Sequence, residues 1–255
     1  MTTPKTTGTA DQDLTLAWEC WWAGIGQTPG EVVWEADPGD LEADLDHFAG
    51  TFGPALPVVD LGCGDGRQTR FLARHFPAVV GVDLSAAAIG RARAADNPAN
   101  ASYQVLDARD PAGAARLHGE LGNANVYIRG VLQALPPASR PRAVQAAAAL
   151  LGAAGTLFAK ELPPQAASYF AALIERHGLP PGLAKVMRHV PPGQISLPEL
   201  AGLFPADRFE VVSTGTSRMH TVHTLPGGEV ISVPAIWALI RPRKTTAAAR
   251  GHQRR

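Results

Sequence analysis

The sequence predicts an α/β fold, a mostly parallel sheet of seven strands with helices on both faces, with a helical cap ahead of the sheet and a proline-rich insertion after strand 5. Three observations carry this. From Leu56 to Glu161, short apolar runs alternate with single helical periods, the pattern of a parallel sheet covered on both sides. The first run opens into a glycine-rich turn, "VVDLGCGDGRQTRFL", at residues 58–72. Two last apolar runs flank "LPGG", as an antiparallel pair would.

Residues 1–10 read as disordered, and one domain is expected over 11–243. Its cap, 11–52, holds two helix candidates, 13–24 ("DLTLAWECWWAG") and 39–52 ("GDLEADLDHFAGTF"); in the second, Leu41, Leu45 and Phe48 recur at helical spacing with carboxylates between them. The core, 55–162, runs strand 1 "LPVVDLG", a helix from Arg67 to His75, strand 2 "AVVGVDL", and a helix "SAAAIGRARAA" capped by Ser85. Strand 3 "SYQVLDA", a helix through "GAARLHGEL", strand 4 "NVYIRGV", a helix "ASRPRAVQAAAALL" and strand 5 "GTLFAKEL" complete it. The rhythm then breaks. Residues 163–198 are rich in proline around "QAASYFAALIERHG" and "LAKVMRHV", and read as a lid over the sheet that meets residues 11–50 above a ligand. Strands "RFEVVSTGT" and "ISVPAIWALIRP" close the domain within 208–243, and the basic stretch 244–255 reads as a solvated, disordered tail.

Composition narrows the class. A chain of 255 residues with 45% hydrophobic residues can bury one large core, and its formal net charge of zero argues against bulk attraction to nucleic acid or an acidic membrane. No apolar run approaches the roughly 18 residues of a spanning helix, and the first residues lack the apolar core of a signal peptide. Cys20 and Cys63 are too few for a disulfide framework or a cysteine-built metal site. The expectation is a cytoplasmic protein, monomeric or homodimeric, with no metal, no nucleic-acid partner and no membrane partner. Charge is unevenly placed: between Lys5 and Arg67 there is no lysine or arginine, while twelve Asp and Glu fall there.

The glycine turn lies where open α/β sheets bind ligands, at the carboxyl end of strand 1. Gly62, Gly64 and Gly66 let backbone approach a ligand, and the following helix amides favour an anion. The spacing G-x-G-x-G is not the dinucleotide fingerprint G-x-G-x-x-G, and Asp60 and Asp65 would repel a pyrophosphate. A ligand with both an ammonium and a carboxylate suits the site better. Strand 2 ends in Asp83 and Leu84, where an acid accepts from ribose hydroxyls. Strand 3 ends in Asp107 and Ala108, which offer an acceptor to an adenine amine and an amide to its ring. An amino-acid end, a ribose and an adenine together describe S-adenosylmethionine, with S-adenosylhomocysteine as its demethylated product.

With these residues in place, the chain resembles the class I S-adenosylmethionine-dependent methyltransferases of small-molecule type. "VVDLGCGDG" is similar to that family's first motif, "VVGVDLS" to its second and "YQVLDARD" to its third, in order, over roughly residues 55–162. "NVYIRGVLQALPP" resembles the strand 4 segment of small-molecule members. The resemblance implies a Rossmann-like fold, a transferase acting on an oxygen or nitrogen of a small-molecule acceptor, and cofactor contacts at Asp60, Gly62, Cys63, Gly64, Gly66, Asp83, Leu84, Asp107 and Ala108; the alanine-, arginine- and proline-rich composition separately suggests a bacterial source. The leader "AWECWWAG…VVWEADPGDLEADLDHF" more loosely resembles thiopurine-methyltransferase-like members, in which tryptophans border the cofactor. That makes Trp22 and Trp34 candidate contacts, with packing of the cap as the other role open to them and to Trp18 and Trp21.

The family keeps no universal base, so candidates come from the variable parts. His220 and His223, in "SRMHTVHT" ahead of the final hairpin, are the catalytic candidates; His177 and His189 lie in the proline-rich insertion, and Tyr169 and Lys160 near the end of strand 5. Arg129, ending strand 4, either pairs with the cofactor carboxylate or ties the sheet end together. Gln133 stands where many relatives carry histidine, and Cys63 reads as a small buried residue. A non-methylating binder or cyclase on the same fold is the alternative, since fold does not fix function. A nicotinamide-dependent reductase is disfavoured by Asp60 and the glycine spacing.

Overall fold

The structure, a computed structural model, describes residues 7–26, 32, 36, 38–178, 193–225 and 228–244. Its strands are β1 (Val58–Leu61), β2 (Val79–Asp83), β3 (Ala101–Val105), β4 (Asn125–Arg129), β5 (Leu157–Glu161), β6 (Phe209–Thr224) and β7 (Val230–Pro242). They form one sheet in the order β3-β2-β1-β4-β5-β7-β6. The first five are parallel, and β7 runs antiparallel between β5 and β6. Every residue of β1, β2 and β5 is buried, as it must be when helices cover both faces.

The helices are α1 (Thr7–Gly24), α2 (Pro38–Phe48), α3 (Arg67–Leu72), α4 (Ala86–Ala94), α5 (Pro111–Leu121), α6 (Arg140–Leu151), α7 (Gln165–His177) and α8 (Leu197–Gly202). On one face, Val59, Leu61, Val126, Ile128, Leu157 and Ala159 pack with the apolar stripes of α5 and α6. On the other, Val58, Tyr127, Phe158 and Leu239 meet Phe48 of α2 and Phe71 and Leu72 of α3. Local signals place several helix starts. Ser85 caps α4, its hydroxyl accepting from the Ala88 amide at 3.1 Å; Ser196 and Glu199 form a capping box on α8.

Some boundaries differ from the sequence reading. Helix α1 begins at Thr7, so residues 7–10 are helical rather than disordered; nothing from Thr9 to Asp13 breaks a helix. Helix α2 stops at Phe48, just before Gly50, and α3 at Leu72. The largest difference is β6, which continues through "SRMHTVHT", so His220 and His223 lie within a strand and not ahead of one. Its β-branched residues Thr221, Val222 and Thr224 favour that extension. Glu161, the last residue of β5, pairs with Ile236, whereas His220 pairs with Ser232, four residues farther along β7. The β6–β7 hairpin therefore overhangs the carboxyl end of β5 by about 13 Å at the usual rise per residue.

Part of the expected lid, including "LAKVMRHV" and His189, lies outside the described residues, as do Trp34 and the tail beyond Lys244. Among the described residues no helix is long and apolar enough to cross a membrane.

Candidate functional site at the carboxyl ends of the strands

The glycine turn is fixed from two sides. Gly62, Gly64 and Gly66 have φ of +86°, +54° and +79°, a region that side chains resist. A Cβ at Gly62 would sit 2.3 Å from Val131, one at Gly64 2.6 Å from the Trp22 ring, and one at Gly66 2.5 Å from the Tyr103 ring. Gly64→Ala should therefore lower stability by about 1–3 kcal/mol through backbone strain alone, and should also displace Trp22. Denaturant unfolding with tryptophan fluorescence reads both. An unchanged midpoint would mean that the turn and the ring yield freely.

The acidic strand ends surround this turn. Asp60 is buried, and the Thr69 hydroxyl of α3 donates to it at 2.6 Å; burial pushes its carboxyl up to about 7. Asp83 accepts from the Gly64 amide at 3.0 Å and from the Ser85 amide at 2.9 Å, while burial raises it to about 6 against those two bonds. Leu84 follows it, half-buried, and Ala108 is buried after β3. Cys63 is buried in the turn, and burial pushes its thiol well above its ordinary value, which suits packing and not nucleophilic attack. Asp107 has a partner the sequence reading missed. Arg109 donates to it from its backbone amide at 2.7 Å, from Nε at 2.9 Å and from Nη2 at 2.6 Å. Burial alone would raise Asp107, but Arg109's bonds and charge outweigh it and hold the carboxyl below its ordinary value.

Helix α1 lies across these same strand ends. Its Thr15 hydroxyl accepts from Arg109 at 2.8 Å, and its Glu19 carboxylate accepts from the Ser85 hydroxyl at 2.6 Å and the Ala87 amide at 3.2 Å. Trp22, buried, stands against Gly64. Arg91 of α4 reaches back to the carbonyls of Ile25 and Gly26.

At the ends of β4 and β5 the structure holds four buried charges. Lys160 donates to Asp44 at 2.6 Å and to Asp40 at 3.1 Å; Arg129 donates to Asp40 at 2.8 Å. The Tyr127 hydroxyl donates to the other oxygen of Asp44 at 2.9 Å. Burial would raise Asp40, but the nearby Arg129 and Lys160 charges outweigh it and hold the carboxyl below its ordinary value. Arg129 thus reaches from the end of β4 into α2. Asp40 and Asp44, read only as carboxylates between apolar positions, are missing from the sequence-based candidates.

Asp40 also accepts the backbone amide of His220 at 3.1 Å, and Ala36 bridges to Thr221, so the cap pins the overhanging strand. The His220 side chain is exposed; the His223 ring is engaged with the Val32 carbonyl at 3.1 Å. His177 ends α7, exposed.

The loop after β4 is clamped from below. Glu161, fully buried, accepts from the amides of Val131 at 3.3 Å, Leu132 at 3.0 Å and Gln133 at 3.0 Å, and burial pushes it up to about 7 against them. The Gln133 side-chain oxygen accepts the Leu162 amide, so this side chain braces the loop. A cleft of about 550 Å³ runs from Arg67, next to Gly66 of the turn, along Arg70 of α3 and Arg74 just after it to Asp96–Pro98, with Pro38 and Leu41 of α2 also lining it. Among the described residues, no cluster of His, Cys, Asp and Glu could hold a metal ion.

The site's motifs and the whole fold have relatives. A family model for a methyltransferase domain matches residues 58–155, the start of β1 to just before β5. The crystal structure of a SAM-dependent methyltransferase from Anabaena variabilis is 34% identical, with a TM-score of 0.84, over 95% of this chain and 98% of that one. The magnesium protoporphyrin IX methyltransferase of Synechocystis, solved with bound SAH, shares the fold at 18% identity and a TM-score of 0.56, over 94% of this chain and 100% of that one. A trans-aconitate 2-methyltransferase of Deinococcus radiodurans is 39% identical over 85 residues, which span 32% of this chain and 30% of that protein. With a third of its residues shared along nearly the full length of a solved member, and with the glycine turn and acidic strand ends arranged as described, the chain belongs to the S-adenosylmethionine-dependent methyltransferases.

Proposed function

We propose that the protein transfers the methyl group of S-adenosylmethionine to an oxygen or nitrogen of a small-molecule acceptor, a specialised metabolite. The observation that carries the cofactor assignment is the Asp83 carboxylate, oriented by two amides beside a turn in which three glycines leave no room for side chains. That cradle fits the cofactor. Gly62, Cys63, Gly64 and Gly66 give backbone to its amino-acid end above Asp60, Asp83 and Leu84 take the ribose, and Asp107 and Ala108 take the adenine. Trp22 borders the amino-acid end from α1. Trp34 is proposed as a second border on its sequence position alone, and Arg129 as the tie to α2.

When bound, the sulfonium supplies an activated methyl carbon on a neutral leaving group. The chain's part is to align the acceptor, exclude water and take a proton. Helix α1 and the 163–198 insertion serve as the walls that exclude water, and His220 as the proton acceptor.

Calorimetry with S-adenosylhomocysteine and NAD tests this reading. S-adenosylhomocysteine should bind in the micromolar range and NAD should not displace it. Asp83→Ala should cost about 1–3 kcal/mol of that affinity by removing a charged acceptor. The pH dependence has a definite sign: Asp83 must be ionised to accept from two hydroxyls, so affinity should fall as pH drops through about 6. Preferential binding of NAD would overturn the assignment.

A further inference from the structure

We propose that Arg218 anchors a carboxylate of the acceptor, so that the substrate is an organic acid; this rests on the methyltransferase reading and narrows it. The sheet order reverses between β1 and β4, and the cofactor residues claim the β1–β3 side of that point. The acceptor is left the ends of β4 and β5, and the β6–β7 hairpin runs on past the end of β5.

Residues paired across an antiparallel ladder share a face. Arg218 pairs with Pro234, His220 with Ser232 and Thr216 with Ile236, so Arg218 and His220 stand on one face, two residues apart along the strand. Ile236 continues that face into the core beside Ala159, above the end of β5. Helix α7 joins it, with the Tyr169 hydroxyl accepting the Ser232 amide at 3.1 Å.

Arg218 is held unusually well for an exposed side chain. Its Nε donates to the Ser232 hydroxyl at 2.6 Å, its Nη2 donates to the Ser232 carbonyl, and its guanidinium lies 5.7 Å from the centre of the Tyr169 ring. Among the described residues no carboxylate pairs with it. Exposed arginines ordinarily wave in water, whereas this one is already bonded to Ser232 and laid against a ring, contacts that reduce the freedom a ligand would have to remove. A planar cation with donors to spare matches a carboxylate in shape and charge. His220 beside it then faces an acceptor that Arg218 has already oriented.

The test uses the full-length protein saturated with S-adenosylhomocysteine. Acids and their primary amides are titrated in pairs by calorimetry: trans-aconitate, salicylate, 4-hydroxycinnamate and 3-hydroxybenzoate, each against its amide. At least one acid should bind about tenfold or more tightly than its amide. Arg218→Gln should erase that preference and leave S-adenosylhomocysteine affinity unchanged. Arg218→Lys should recover part of it, which a purely structural role would not produce. If no acid binds, if amides bind as well, or if the preference survives in Arg218→Gln, the inference falls while the methyltransferase reading stands. If S-adenosylhomocysteine itself fails to bind, that earlier reading falls with it.

Discussion

Asp40→Ala should lower the unfolding free energy by about 3–5 kcal/mol, the cost of leaving a buried charge without its partner. The carboxylate serves three donors at once: the Arg129 guanidinium, the Lys160 ammonium and the His220 amide. Asp44 remains for Lys160 at 2.6 Å but stands 4.0 Å from Arg129, so the change weakens the compensation of both buried cations. The effect should have a partner-dependent signature. Replacing Asp40 and Lys160 together by leucine and methionine should cost less than the sum of the single changes, because an apolar pair needs no compensation. Asp40 also has a pH signature. Its carboxyl is held below its unfolded value of 3.8, so its stabilisation is present above that value and is lost as pH falls through the folded one. Urea unfolding at several pH values reads all of this. A loss under about 1 kcal/mol in Asp40→Ala would mean that the cluster relaxes into water, in the range of exposed pairs.

His220→Gln should slow methyl transfer by about 10²–10⁴-fold at saturating acceptor if the imidazole takes the acceptor's proton. The strand that carries it is pinned by Asp40 from α2 and by the ladder to Ser232, so the ring's place over the sheet end is set by backbone and not by a mobile loop. His223 is the weaker candidate, since its ring is already engaged with the Val32 carbonyl. Cofactor affinity and melting temperature should hold in His220→Gln, because the ring is exposed and only its backbone is bonded to the cap. Near-normal turnover would leave alignment and desolvation as the working terms and retire His220 as a base.

The parallel sheet was legible because its signals are local. Apolar runs, the Ser85 cap and the three spaced glycines each need only a few neighbours to be read, and each stands where the sequence reading puts it. The charges were not legible for the opposite reason. Asp40 lies 89 residues from Arg129, and Asp44 lies 116 from Lys160, so nothing within α2 distinguishes these buried acids from the exposed Glu42 and Asp46 beside them. The same holds for Glu161, whose three amide donors come from about 30 residues upstream. Arg109 is the instructive miss. It sits two residues from Asp107 inside the quoted third motif, and attention to charge pairing at that spacing would have found it. The overhang of β6 was hidden because polar "SRMHT" reads as a loop until its ladder to β7 is seen.

The stretch without a single lysine or arginine from Lys5 to Arg67 takes on another meaning once its bonds are traced. Two of its acids find their cations in the core: Asp40 and Asp44 at Arg129 and Lys160. Glu19 accepts from the Ala87 amide and the Ser85 hydroxyl at the start of α4, and Thr15 and the Ile25 carbonyl are claimed by Arg109 and Arg91. At this cluster the cap supplies the anions and the sheet the cations, so α2 and the ends of β4 and β5 balance one another's buried charge. A chimera that grafts a relative's cap onto this sheet would take from buried Lys160 both carboxylates it meets here unless the donor carries acids at the positions of Asp40 and Asp44. Recombination among such enzymes would then respect a boundary drawn by buried charge instead of by the edge of the sheet, with α2, β4 and β5 inherited as a set.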